Sequence, residues 1–183
     1  MKKVIIRFFT VLIFIALFTS CKKIIAKVFG GTDINVPEVQ VTIPAVIAFT
    51  PNEISLGTFS YNFNLDSIVK ANTAGVFGAN AVNSVKIKQA VISILNADQL
   101  NNFANFKTVR VELQSNSNNS PVNIISASFA DTFASTFTYV PTNSPELVSY
   151  LKGSNISYTV FGSIRRTTNK PLTLSLALTL RAD

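Results

Sequence analysis

The sequence predicts an all-β protein, an antiparallel two-sheet sandwich of immunoglobulin-like or Greek-key type with one or two short helices. Three observations predict it. The 183 residues suffice for one sizeable core, since a chain of this length buries roughly 70% of its unfolded surface. With 48% hydrophobic and 14% charged residues, the composition is globular rather than disordered. From about residue 36 onward, segments of period-two alternation recur between polar turns, about eight times.

Residues 36–43 form the first candidate strand. In the second, Phe59, Tyr61, Phe63 and Leu65 alternate with Thr58, Ser60, Asn62 and Asn64, which predicts one buried and one wet face. Residues 66–71 read as a short helix and the Asn-, Ala- and Gly-rich stretch after it as a loop. In residues 85–95, Val85 and Ile87 share one phase while Ala90, Ile92 and Ile94 share the other. Either a bulge near Gln89 shifts the phase, or the strand is covered on both sides. Asp98 is placed to cap a single turn over residues 98–103. Val109, Val111 and Leu113 alternate with Arg110, Glu112 and Gln114, and residues 122–127 and 133–139 are further strands. Phe129, Phe133 and Phe137 recur every four residues, but the Thr and Ser between them favour extended structure. Ser144-Pro145-Glu146-Leu147, with Leu151 and Gly153 beyond, has the cap, first-position proline, first-turn acid and glycine stop of a helix. Residues 156–165 and 172–181 alternate cleanly, the latter with Leu at five alternate positions, and the polar link between them predicts a hairpin.

Composition excludes much chemistry. The chain has no His and one Cys, so Ser-His-Asp and Cys-His catalysis, a His-ligated zinc site and a disulfide framework lack their residues. The nine acids are scattered singly, without the close spacing of a calcium loop, and no glycine-rich phosphate loop is present. No metal, cofactor or catalytic residue is expected. Asp98 and Glu146 fit helix starts better than a catalytic carboxylate pair. The aromatic residues are mostly Phe at core-phase positions; Phe161, on the polar phase of its strand, is the exception. Lys86, Lys88, Lys107 and Arg110 form a basic grouping that reads as a solvated face.

The first residues are a different matter. Lys2, Lys3 and Arg7 supply a positive segment, and residues 8–18 an apolar run broken by Thr10 and too short to span a bilayer comfortably. The run closes on Leu17-Phe18-Thr19-Ser20-Cys21, which resembles the lipobox of bacterial lipoproteins. Phe18 stands three residues before the cysteine, and Leu17 one further upstream. The resemblance implies a signal peptide at 1–20, cleavage between Ser20 and Cys21, and a diacylglycerol thioether on Cys21, whose thiolate is the nucleophile such a linkage needs. Residues 21–35 then form a tether and 36–183 the sandwich. Lys22, Lys23 and Lys27 either meet anionic headgroups, with Gly30-Gly31 as a hinge, or belong to a plain linker that simply follows the anchor. No Asp follows Cys21, which by the same resemblance favours the outer membrane, and no acidic run follows it either, which favours the periplasmic face.

Cleavage would leave 13 basic residues against 9 acids, a net charge near +4, so nucleic acid is not an expected partner. The expected function is that of a non-enzymatic, lipid-anchored envelope lipoprotein acting as a structural or interaction module. It would be held to the membrane by its acyl chains and would meet an envelope protein or polymer. The alternative is a ligand-binding or adhesive sandwich for sugar or surface polymer, using the Asn-rich loops at residues 65–85 and 115–121. Asp66-Ser67-Ile68 also resembles a three-residue O-glycosylation signal of some Gram-negative secretory systems, which would make Ser67 an acceptor; capping of a local helix is its other use.

Overall fold

The computed structural model describes residues 31–183. Eight strands and two short helices follow in the order β1 (Thr32–Ile43), β2 (Thr50–Asn62), α1 (Leu65–Asn72), β3 (Val85–Ile94), β4 (Phe106–Ser115), β5 (Asn118–Ser128), β6 (Thr136–Tyr139), α2 (Val148–Leu151), β7 (Asn155–Ile164) and β8 (Leu172–Ala182). Three-residue 3₁₀ turns lie at Ala79–Ala81 and Phe103–Asn105. One sheet has the order β1-β8-β3-β6 and the other β2-β7-β4-β5, and every pairing is antiparallel. Consecutive strands alternate between sheets everywhere except β4 to β5. This is the strand order of the jelly roll, two Greek keys wound together, and it selects the Greek key from the two sandwich types the sequence allowed.

Alternation accounts for the core. Leu172, Leu174, Leu178 and Leu180 of β8 meet Ile156, Tyr158, Val160 and Ile164 of β7 across the space between the sheets, all of them buried. The expected phase shift in β3 is a bulge: the register against β8 slips between Ile87 and Gln89, returning Ala90, Ile92 and Ile94 to the buried face. Lys88 is released to the surface, where it pairs with Asp33. All four sheet edges are interrupted. β1 bulges between Val36 and Val39, β2 slips twice and begins beside Pro51, β5 slips twice around Pro121, and β6 has four residues. Such edges resist pairing with another chain.

Several sequence expectations change. The predicted hairpin of the last two strands does not form: β7 and β8 lie in different sheets, and residues 165–171 cross between them. Alternation reports which face is buried, not which strand is the neighbour. Strand β1 starts at Thr32 and buries Ile34 completely, so residues 32–35 belong to the sandwich rather than to the tether. The helix expected at Ser144 is shortened to Val148–Leu151, because Ser144 and Glu146 serve β3 instead. Ser144 Oγ accepts from Ile87 N at 2.7 Å, and Glu146 Oε1 from Val85 N at 2.7 Å. Of the predicted strand 133–139 only Thr136–Tyr139 forms, with Phe133 exposed ahead of it.

The topology gives the sandwich two unlike ends. Thr32, Val85 and Ala182 align at one end, which also carries α1, α2 and the β4–β5 turn. Ile43 with Leu172, and Phe106 with Ile164, mark the other. There the connections 44–49, 95–105, 129–135 and 165–171 gather.

Candidate functional site

Ser20 and Cys21 lie outside the described residues. Ser67 is exposed in the first turn of α1, and its backbone N–H donates to Asn64 Oδ1 at 2.9 Å, so Asn64 rather than Asp66 caps the helix. Asp66 is occupied locally, accepting from Ala79 N at 2.9 Å and pairing with Lys70 at 2.6 Å. The two loops expected to carry recognition are folded against the helix end. Residues 65–85 contain α1 and a 3₁₀ turn, while Ser117 Oγ donates to Ser149 O at 2.7 Å and pins the β4–β5 turn. Phe161 does face outward, but the Arg110 guanidinium lies 4.2 Å above its ring and is held in turn by Glu53 at 2.7 Å and by Glu112. That cluster is closed. The basic grouping separates, Lys86 and Lys88 on β3 in one sheet and Lys107 and Arg110 on β4 in the other.

The loop end carries the features that sequence reasoning missed. Its frame is a set of buried amides. Asn102 Oδ1 accepts from Ala104 N and Asn105 Oδ1 from Asn102 N, both at 2.9 Å, a capping box made of two asparagines three residues apart. Asn105 Nδ2 donates to Leu100 O at 2.9 Å and to Thr167 O at 2.8 Å, which joins two connections far apart in sequence. Asn101 Oδ1 accepts from Asn169 N at 3.0 Å, and Thr168 exchanges two bonds with Val46. Asn101, Asn102 and Asn105 are each 3% exposed or less. The repeated Asn at 101, 102 and 105 was the available signal, because buried amides with this many bonds stiffen a loop.

Beside this frame lies an open cleft of about 470 Å³, whose lining includes Phe49, Leu100, Arg165 and Arg166 as well as Asn105. Phe49 is 62% exposed and Leu100 68%. Arg165 is anchored, donating to Ala104 O and Phe129 O. Arg166 spends only Nη2, on Ala104 O and Asp131. Its Nε and Nη1, the side-chain amides of Gln99 and Asn169, and the Thr167 hydroxyl make no bond among the described residues. The floor amides are fully used and the rim groups are unused.

Asp98, next to Gln99 in the chain, is fully engaged. Its carboxylate pairs with Lys170 at 2.5 Å and accepts from Asn101 Nδ2 at 2.7 Å and Leu100 N at 2.9 Å. The Lys170 ammonium, then the Asn101 amide and the Leu100 N–H, hold its carboxyl down to about 2. At the other end, burial pushes Glu146 up, but hydrogen bonds from Ser84, Val85, Val148 and Leu147 together hold it below its ordinary value. A carboxyl lowered in the folded state contributes stability that is present above its unfolded pKa and is lost as pH falls through the folded one. The melting temperature is therefore expected to fall between about pH 5 and pH 2. Asp98→Asn should flatten that slope, which melts recorded from pH 2 to pH 7 would test; an unchanged slope would contradict the pairing. Among the described residues, no three His, Cys, Asp or Glu side chains gather as metal ligands would.

No protein-family model matches the chain, and no curated protein is significantly similar to it. Among solved structures it is similar to the family 32 CBM from C. perfringens NanJ in complex with galactose, at 7% identity and a TM-score of 0.39, over 81% of this chain and 99% of that one. It is also similar to the decameric BFDV capsid protein, at 12% identity and a TM-score of 0.34, over 84% and 98%. For the Drosophila NLP-core the values are 8%, 0.30, 79% and 98%. Likeness at this level carries no argument about what the chain binds; the strand order by itself defines the jelly roll.

Proposed function

We propose that the protein is a non-enzymatic, lipid-anchored interaction module of the bacterial envelope, tethered through Cys21 to the outer membrane on its periplasmic face and engaging its partner through the loop end. The observation that carries this reading is polarity. Strand β1 leaves the tether at Thr32 and reaches the loop end at Ile43, so its twelve residues, at about 3.3 Å each, hold the cleft roughly 35–40 Å beyond the point where the tether enters. An anchored module presents its far end to whatever lies beyond the membrane. That end is stiffened by buried amides and exposes apolar side chains, Ile47, Phe49 and Leu100, beside arginine, a composition that binding surfaces favour.

The test has two parts. Mass analysis of the mature N-terminal peptide should find a diacylated Cys21 whose appearance an inhibitor of the lipoprotein leader peptidase stops. A photo-reactive side chain placed at Leu100 should form a higher-mass adduct in the intact envelope, while the same group at Asn119, at the helix end, should not. An unlipidated N-terminus would overturn the anchor, and adducts only from Asn119, or from neither position, would overturn the loop end as the engaged surface.

A further inference from the structure

The unused groups of the cleft are not those of a purely apolar contact. Gln99, Asn169 and Thr167 offer paired donors and acceptors to a ligand rich in hydroxyls, and Phe49 offers one flat apolar face, enough for the C–H face of a sugar ring. Arg166 adds two nitrogens without protein partners, Nε and Nη1, which point to different sides of the guanidinium, so each can give a carboxylate one charge-assisted bond. Among the lining residues there are two arginines and no acid. Asp131, which does not line the cleft, and Ala104 O hold Arg166 through Nη2, which orients the guanidinium and leaves Nε and Nη1 as single donors. The volume of about 470 Å³ lies within the range of small-ligand sites, about 300–1,000 Å³.

We infer that the loop-end cleft binds a carboxylate-bearing saccharide, a uronic-acid unit of a polymer, with the ring over Phe49, the carboxylate on Arg166 and the hydroxyls on Gln99, Asn169 and Thr167. The inference rests on the loop end being the engaged surface and names the chemistry that engages it. Asn105 and Arg165 serve as positioning residues: the Asn105 amide and both Arg165 Nη groups are spent on backbone carbonyls of the connections that carry the cleft.

The test is calorimetric titration of the full chain in detergent with tetrasaccharides of galacturonate, mannuronate and guluronate. The same sugars with carboxyls reduced to alcohols, and polyglutamate, are the controls. At least one uronate should bind saturably, its reduced form at least tenfold more weakly, and polyglutamate at least tenfold more weakly. Arg166→Gln and Phe49→Ala should each lower uronate affinity tenfold or more while melting near the parent temperature, and Lys88→Gln, at the helix end, should leave it unchanged. The inference is overturned if no uronate binds or if polyglutamate binds as well. It is equally overturned if both cleft variants bind like the parent, or if Lys88→Gln weakens binding as much as Arg166→Gln does. Absent uronate binding alongside adducts from Leu100 would defeat this inference and leave the loop end as the engaged surface; loss of both would defeat the two together.

Discussion

Phe103→Ala is expected to destabilise the protein by about 3–5 kcal/mol. For a domain of this size that is a fall of about 10–15 °C in melting temperature. The ring is 2% exposed and borders a cavity of about 40 Å³ between the sheets, next to Val109 and Leu174. It also stacks on Phe129, with centroids 4.7 Å apart and planes 8° from parallel, and Phe129 meets Phe137 edge-on at 5.1 Å. Removing the ring enlarges an existing void whose walls belong to two sheets and do not collapse easily, and it strips Phe129 of its stacking partner, leaving only the edge-on contact with Phe137. Both terms have the same sign. Phe103→Leu keeps most of the volume and should lose less than half as much. Chemical denaturation of the two variants measures the difference, and a loss below about 1 kcal/mol for the alanine variant would show that the ring does not bear on the core.

Asn105→Ala should cost about 2–4 kcal/mol, through hydrogen bonding rather than volume. It strands the Asn102 N–H and the Leu100 and Thr167 carbonyls, in a place where Asn105 is 3% exposed and water has little access. The cost should be local in origin. Two connections far apart in sequence lose the side chain that joins them, so amide exchange should quicken at Asn102 and Asn169 well before it does in β7 or β8. Asn105→Asp is a sharper probe. It retains the oxygen that accepts from Asn102 and turns the donor into a second acceptor facing two carbonyls, so it should be at least as damaging as the alanine. Uniform exchange across the domain in either variant would argue against a local role for the amide frame.

The parts legible in the sequence were those that depend on spacing alone. Period two in residues 156–165 and 172–181 announced strands, because successive side chains leave opposite faces of any strand whatever its neighbour. The phase break near Gln89 left a bulge or a doubly covered strand open, and the register against β8 decided for the bulge. What could not be read was pairing. The link at residues 165–171 looks like a hairpin turn, yet it carries the chain from one sheet to the other, since a Greek key buries both apolar faces against each other and a simple meander leaves them apart. Capping signals failed in the same way. Ser144 and Glu146 have the residue types of a helix start, but the N–H groups of Val85 and Ile87 compete for them and win.

The candidate site divides along the same line. The expectation of a lipid anchor at Cys21 rests on one contiguous run of residues, so it needs no fold to be visible. The cleft has no local signal. Phe49, Leu100 and Arg166 come from three separate connections, and nothing in their spacing brings them together. The sequence by itself determined a β-rich core, because burial and alternation are short-range properties of the chain. Only the tertiary structure decided that four distant connections meet at the end opposite Thr32, because the crossing of strands between two sheets is settled by how their apolar faces close over one another.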